Sequence, residues 1–199
     1  MMEQQMREAV IAYGRKLVES GLVQGTWGNI SVRLDADHML VTPSGLDYQS
    51  LHPEDIVKVN LRTLEYKSAR KPTTEKKLHQ AILLARPECG AVIHTHSANC
   101  SVYAAAGATI PIKDAAMRKR FGGDVRCAAH ALPGTSKLSR ATLKALEGRS
   151  ACLLQNHGVI CCGSSLADAY ELCEMLEREA ELIPRPEDHQ PGTSAVIRS

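Results

Sequence analysis

Aromatic residues are scarce in this 199-residue chain, which contains one Phe, one Trp and five Tyr. They do not interleave with Lys or Arg, as they do on surfaces that stack nucleic-acid bases. The formal net charge is only +2 with the histidines neutral, so nothing points to a polyanion as partner. The composition therefore argues against a nucleic-acid-binding protein.

Long apolar runs are also lacking, because no stretch approaches the ~20 residues that a membrane-spanning helix needs. The segment MMEQQMREAV carries acidic and polar residues where a signal peptide has a charged head and an apolar middle. The seven cysteines are odd in number and mostly lie in apolar segments. We therefore expect a cytoplasmic protein with reduced thiols and no membrane association.

Helical and strand patterns alternate along the chain. Apolar residues recur at helical spacing over residues 3–20, and Gly21 ends that pattern. Short apolar segments with strand character follow, separated by further helical patterns, and residues 108–137 show little regularity. The predicted strands are NISVRLD, MLVT, DIVKVNL, GAVIHTHS, ACLLQ and GVICCG. We expect an α/β fold, a single domain over residues 1–183 with a central, largely antiparallel sheet flanked by helices, and a mobile tail over residues 184–199.

Helix ends are marked by capping residues. The segment TTEKKLHQAILLARP predicts a helix that a threonine caps and that ends near Pro87. The last helix is predicted to begin at Ser165, and Asp168, three residues further on, completes the pattern of a capping box.

Three histidines have the spacing of metal ligands. In AVIHTHSANC, His94 and His96 are two residues apart on a predicted strand, so both imidazoles point to the same side. His157 stands between two apolar strands, beside a glycine. Three protein ligands with one open position are typical of catalytic zinc. The alternative is that these are core or edge histidines without a metal. Cys161 and Cys162 are neighbours on a strand and point to opposite faces, so we interpret them as apolar fillers.

Three short segments could offer backbone N–H groups and hydroxyls to an anion. They are Gly28 with Asn29, Ser44 with Gly45, and Thr73 with Thr74. Each alone would indicate only a turn or a cap, but together they suggest a phosphate site. Glu75 follows in the same predicted first turn. It is either a complement to the helix dipole or a general base beside the bound anion.

The motifs GNIS, TPSG, TTE, HTHS and QNHG, in this order and at these separations, resemble the class II aldolase/adducin family from about residue 5 to residue 183. The resemblance implies Zn²⁺, with Mn²⁺ or Co²⁺ as alternatives. It implies His94, His96 and His157 as metal ligands, and Glu75 as the catalytic acid/base that also binds the metal before substrate arrives. It further implies that the three anion-binding segments hold the phosphate of a sugar substrate, in a homotetramer with active sites at subunit interfaces.

Two features depart from the family pattern. His130 stands where a loop of the aldolases supplies a tyrosine from the neighbouring subunit, and no tyrosine follows Tyr170. The residues that the resemblance assigns to phosphate and metal binding are thus retained, whereas those it assigns to the aldehyde half of the substrate are altered. We interpret His130 as a substitute proton donor, with a plain surface histidine as the alternative.

The resemblance implies reversible cleavage of a ketose 1-phosphate, such as L-fuculose 1-phosphate, to dihydroxyacetone phosphate and an aldehyde. Other chemistries of the family stay open: 4-epimerisation of L-ribulose 5-phosphate, dehydration of methylthioribulose 1-phosphate, and decarboxylation. The epimerases typically carry Asp where Glu75 stands. A non-catalytic, adducin-like interaction domain is disfavoured because such members tend to lose the histidines.

Overall fold

A computed structural model describes residues 2–186. Within them, seven strands form one sheet in the order β3-β2-β1-β4-β7-β6-β5. Every neighbouring pair is antiparallel except β5 with β6, which is parallel. The predicted single α/β domain with a largely antiparallel sheet is therefore confirmed. The strands are β1 Asn29–Arg33, β2 His38–Val41, β3 Val57–Asn60, β4 Ala91–Thr95, β5 Cys127–Ala128, β6 Ala151–Leu154 and β7 Gly158–Gly163.

In the described part of the chain, six α-helices flank the sheet, and two short 3₁₀ helices, Tyr48–Ser50 and Pro53–Asp55, precede β3. The α-helices are α1 Met2–Glu19, α2 Lys76–Ala85, α3 Ala98–Ala106, α4 Ala115–Phe121, α5 Ser136–Ala145 and α6 Leu166–Leu182. Helices α1, α3 and α6 supply apolar side chains to the core on one face of the sheet. Helices α2 and α5 cover the other face.

Alternation along the strands separates these two cores. Ile93 packs in the core under α1, α3 and α6, whereas its neighbour Val92 packs under α2 and α5. Cys161 and Cys162 divide in the same way and are both buried. Their predicted role as apolar fillers on opposite faces is confirmed.

Helix α2 differs at its start from the prediction. Its N-cap is Glu75, so the predicted threonine cap is wrong. The hydroxyl of Thr73 instead accepts a hydrogen bond from the backbone N–H of Glu75 at 3.3 Å, which forms a turn just before the helix. This turn delivers the Glu75 side chain to the end of the sheet.

At the start of α6, the predicted cap is present but the predicted capping box is not. Ser165 caps the helix by accepting from the N–H of Asp168. The Asp168 carboxylate accepts from the N–H of Ser164 at 2.7 Å, so the predicted reciprocal capping box is not formed.

The stretch predicted as irregular contains α4 and β5. Helix α4 has seven residues, of which three in its last turn are basic, so it shows little apolar periodicity. Of the predicted tail, residues 187–199 lie outside the described residues, while the carbonyl of Pro184 accepts a hydrogen bond from the Tyr103 hydroxyl at 2.7 Å. Among residues 2–186, no helix has the length and apolar character that crossing a membrane requires.

Candidate metal and active site

The three predicted histidine ligands lie together. His94 is on β4, His96 follows one residue beyond its end, and His157 is in the turn between β6 and β7. Because β4 pairs with β7, this turn is brought to the end of β4. One ring nitrogen from each histidine lies within 4.8 Å of those from the other two, and the Nε2 atoms of His94 and His96 are 2.9 Å apart. The His-x-His spacing predicted that two imidazoles lie on the same side of the strand. In the structure these two rings and His157 form a group that could hold a metal ion.

Gly158 makes this convergence possible. A Cβ atom at this position would lie 2.4 Å from the carbonyl oxygen of Thr95, 3.0 Å from Cε1 of His94 and 3.3 Å from Cδ2 of His96. Real Cβ atoms essentially never approach another heavy atom as closely as the 2.4 Å to Thr95, so a larger residue would displace the end of β4 and press on both imidazoles.

We predict that Gly158→Ala weakens metal binding by tenfold or more, because the displaced imidazoles no longer converge. Gly163→Ala is a matched control at the other end of β7, where a Cβ would lie 2.3 Å from the backbone nitrogen of Ala169. Both variants are expected to lose about 1–3 kcal/mol of stability from overpacking, but only Gly158→Ala should lose metal affinity. Titration against a chromogenic chelator, with thermal denaturation in parallel, measures both effects; equal metal affinities in the two variants would contradict the assignment.

His94 is held in the form that suits a ligand. Its Nδ1 donates to the carbonyl oxygen of Val159 at 2.8 Å, so the lone pair of the neutral ring lies on Nε2, which faces the other histidines. Burial lowers the pKa of His94 to about 4. Burial, with a contribution from the nearby His157, also lowers the pKa of His96. Both rings are therefore neutral near pH 7, as metal ligation requires.

Glu75 completes the cluster from the start of α2. Its Oε2 lies 3.2 Å from Nε2 of His94, and its Oε1 lies 3.2 Å from Nε2 of His157. The amide of Asn29 donates to Oε2 at 2.8 Å. Burial by itself raises the pKa of Glu75, but His94, the hydrogen bond from Asn29 and His157 together hold that pKa below its ordinary value. The group is a carboxylate at neutral pH.

The donor set fits a divalent cation. Three imidazoles and one carboxylate converge in a partly buried space, which is the kind of site that Zn²⁺ and similar ions occupy. Within residues 2–186, Glu75 Oε1 is buried and has no hydrogen-bond partner. A buried carboxylate oxygen without a donor is costly, and a bound cation would satisfy it.

Two of the predicted anion-binding segments lie side by side. The N–H of Ser44 donates to the carbonyl of Lys71 at 2.9 Å, and the N–H of Thr73 donates to the carbonyl of Thr42 at 3.0 Å. These two N–H groups are thereby used within the protein. The groups of these two segments that remain as candidates for an anion are the hydroxyls and the N–H groups of Gly45 and Thr74.

The third segment adjoins the metal group. Asn29 is paired with His94 across β1 and β4. Gly28 has φ +122°, and a Cβ there would lie 2.8 Å from the carbonyl oxygen of His94. The amide of Asn29 is directed to Glu75, so its predicted contact with phosphate stays a prediction.

Comparison with known proteins assigns the family. The pattern of the class II aldolase and adducin N-terminal domain matches residues 8–183. The chain belongs to this family. It is 42% identical over 176 residues to a 5-methylthioribulose-1-phosphate/5-deoxyribulose-1-phosphate aldolase of Rhodospirillum rubrum, which covers 88% of this chain and 79% of that protein.

Other class II aldolases are similar at comparable coverage. L-fuculose phosphate aldolase of Escherichia coli K12 is 35% identical over 167 residues, or 84% of this chain and 77% of that protein. A solved structure of L-fuculose 1-phosphate aldolase superposes with a TM-score of 0.83 at 34% identity, covering 88% of this chain and 82% of that one.

In this class II aldolase domain, His130 lies beside the turn that carries His157. Its backbone N–H donates to the side chain of Gln155 at 3.2 Å, and its ring Nδ1 lies 3.2 Å from the Gln155 carbonyl oxygen. The ring is exposed. The same loop continues to Gly134, where a Cβ would lie 3.7 Å from the carbonyl oxygen of Thr74. The loop thus lies between the turn that carries His157 and the start of α2. The catalytic role of His130 stays a prediction.

Sequence reasoning missed three residues near the site. Trp27 is 67% exposed, and its ring centroid lies 5.9 Å from that of His96. His79 and Ser31 are fully buried behind Asn29. A signal existed for these two, because His79 follows Glu75 by one helical turn and Ser31 follows Asn29 by two residues on a strand.

Proposed function

We propose that this class II aldolase cleaves a ketose 1-phosphate reversibly to dihydroxyacetone phosphate and an aldehyde. The observation that carries the proposal is the position of Glu75, which faces the three histidines from the start of α2. The candidate phosphate groups of Gly45 and Thr74 belong to the paired segments just before that helix. In this proposal the candidate metal group, the Glu75 carboxylate and the candidate anion-binding groups would act together at one end of the sheet.

The proposed substrate is a 5-deoxypentulose 1-phosphate, with L-fuculose 1-phosphate as the next choice. A relative at 42% identity and one at 35% identity, from Bacillus thuringiensis, are named as aldolases of 5-deoxyribulose 1-phosphate. The aldehyde released from such a sugar carries an apolar end. The exposed ring of Trp27 beside His96 offers an apolar surface at the site.

We propose Zn²⁺ as the metal, held by His94, His96 and His157, with Glu75 as a further ligand before substrate binds; Mn²⁺ and Co²⁺ are the alternatives. A bound divalent cation would polarise the substrate carbonyl and take up negative charge as the carbon–carbon bond breaks. The chain's contribution is the neutral, oriented imidazoles and the buried carboxylate described above.

The chain's own groups would anchor the substrate and move the protons. Gly28, Asn29, Ser44, Gly45, Thr73 and Thr74 would hold the phosphate, which keeps the reacting carbon near Glu75. Glu75 would carry the proton of the carbon that becomes the hydroxymethyl carbon of dihydroxyacetone phosphate. His130 would exchange the hydroxyl proton of the aldehyde half, acting across a subunit boundary in a cytoplasmic homotetramer.

A panel of sugar phosphates tests the function. We expect dihydroxyacetone phosphate, detected by its enzymatic reduction, to form from 5-deoxyribulose 1-phosphate and from L-fuculose 1-phosphate. The unphosphorylated ketoses should react far more slowly, because they lack the anchoring group. Conversion of L-ribulose 5-phosphate to its C4 epimer, xylulose 5-phosphate, would instead establish the epimerase. No turnover of any sugar phosphate by the metal-loaded protein would overturn the proposal.

We predict that His130→Phe slows cleavage by about tenfold or more while solvent exchange of the carbon-bound proton of dihydroxyacetone phosphate continues. That exchange needs the metal, the phosphate anchor and Glu75 but no proton at the aldehyde half. Proton NMR in heavy water follows the exchange, and the cleavage assay follows the complete reaction.

The matched control is His38→Phe, a histidine on β2 that pairs with Asp35 outside the site. It should leave both rates unchanged. Loss of exchange and cleavage together in His130→Phe would assign this histidine a structural role.

A further inference from the structure

Two buried polar residues, Ser31 and His79, lie behind Asn29 and Glu75. Asn29 and Ser31 are two residues apart on β1 and point to the face of the sheet that α2 covers. On α2, His79 follows Glu75 by four residues. Four helical residues advance about 6 Å along the axis, and two strand residues advance about 7 Å. The two pairs therefore match in spacing and stand opposite each other.

These four side chains form a continuous chain of hydrogen bonds. Ser31 Oγ lies 2.7 Å from Nδ1 of His79. Nε2 of His79 is hydrogen-bonded to Oδ1 of Asn29, and Nδ2 of Asn29 donates to Glu75 Oε2 at 2.8 Å. Ser31 and His79 are 0% exposed, while Asn29 and Glu75 are 7% and 5% exposed. Buried polar groups of this kind are held by one another.

The carboxylate sets the direction of every bond in the chain. Glu75 can only accept, so Asn29 must present its N–H₂ group to it and its carbonyl oxygen to His79. His79 must then donate from Nε2. Burial lowers the pKa of His79 to about 4, so the ring is neutral at pH 7 and its Nδ1 accepts from the Ser31 hydroxyl.

We propose that His79, oriented by Ser31, is a positioning residue that fixes the amide of Asn29 with its N–H toward Glu75. An asparagine amide has two nearly isosteric ends. Rotation by 180° would place its oxygen against the carboxylate, where the two acceptors repel. The N–H of His79 removes that freedom because it bonds only to the oxygen end. The catalytic consequence rests on the proposed function, whereas the hydrogen-bond directions do not.

Two substitutions of similar size separate positioning from simple filling of the core. His79→Met keeps most of the volume but offers no donor to Asn29. His79→Gln keeps an N–H that can reach the Asn29 oxygen. We expect kcat of the metal-loaded enzyme to fall 10–100-fold in His79→Met, the usual effect of losing such an outer partner. KM should change less than about threefold, and His79→Gln should recover most of kcat.

A residue that only fills the core would give a different result. Met packs well in apolar surroundings, so His79→Met would then retain kcat, and Gln would be the worse substitution. Either a wild-type kcat in His79→Met or equal losses in the Met and Gln variants would overturn the proposal.

The tautomer of His79 gives a test that needs neither turnover nor a variant that folds. In the full-length Zn²⁺-loaded protein labelled with ¹⁵N-histidine, we expect His79 at pH 7 as a neutral ring with the proton on Nε2 and an accepting Nδ1. The signal absent from His79→Gln assigns it, and if that variant does not fold, couplings to the ring protons assign it. Ser31→Ala should shift the Nδ1 resonance and lower kcat several-fold.

A proton on Nδ1, or a charged ring at pH 7, would overturn the proposed directions. If the wild-type protein cleaved no ketose phosphate, the proposed function would fail, yet the tautomer would still confirm or refute the orientation of Asn29. The two failures are therefore distinguishable.

Discussion

Replacing Glu75 by Gln is expected to lower turnover of the ketose 1-phosphate by about 10²–10⁴, the range for a positioned acid/base. Gln has nearly the same shape and still fits at the start of α2. It cannot accept the carbon-bound proton at neutral pH, so the proton-transfer step loses its base. KM should stay nearly constant because the phosphate anchor is unchanged.

The surroundings of Glu75 also determine the side effects of this substitution. The carboxylate accepts from Asn29 at 2.8 Å, and its other oxygen, 3.2 Å from Nε2 of His157, has no hydrogen-bond partner among residues 2–186. A neutral amide there would bind a cation less tightly, so metal affinity should fall somewhat. Assays are therefore run with excess metal, which leaves proton transfer as the difference.

Proton exchange isolates this step from the rest of the reaction. Dihydroxyacetone phosphate is incubated with each enzyme in heavy water, and the loss of its carbon-bound proton is followed by NMR. Glu88→Gln is a suitable control, since Glu88 is an exposed partner of Arg86 at 2.9 Å and is expected to leave exchange unchanged. Exchange at the wild-type rate in Glu75→Gln would remove the central claim of the mechanism.

The fold and the metal group were accessible from sequence because each depends on short-range spacing. The alternation of apolar residues located β1, and short apolar segments located β2 and the strands around His157. The two-residue spacing of His94 and His96 placed both rings on one side of β4, and the pairing of β4 with β7 brought the third ring to them. Local rules thus predicted ligands that come from distant parts of the chain.

Other features depend on contacts across the fold, which local patterns do not encode. The seven-residue helix α4 follows Asp114, which caps it, and carries too few apolar residues for a period to appear. Helix α2 is capped by Glu75 rather than by the predicted threonine. The Thr73 hydroxyl accepts from the Glu75 N–H and so belongs to a turn before the helix. The link between His79 and Asn29 joins residues 50 positions apart, so only the packing of α2 on β1 reveals it.

Substituting His96 by Ala is expected to abolish tight metal binding and, with it, aldol cleavage. The loss of a direct ligand should exceed the ~10–100-fold that loss of an outer-shell partner costs. His96 is the most informative of the three ligands because it lies beyond the end of β4 and is not fully buried. His94, in contrast, is 0% exposed and donates to Val159 at 2.8 Å, so its removal would also disturb the sheet.

The expected result has two parts, which together separate ligand loss from unfolding. Elemental analysis after gel filtration should find about one divalent metal per subunit in the wild type and far less in His96→Ala. The melting temperature of the variant should match that of the chelator-treated wild type, since the remaining difference is one partly exposed ring packed against His94 and Trp27. His38→Ala removes an imidazole outside the site and should keep both the metal and the activity. Stoichiometric metal and normal turnover in His96→Ala would show that the ion, if bound, is not held by the cluster of His94, His96 and His157, and the proposed mechanism would lose its metal site.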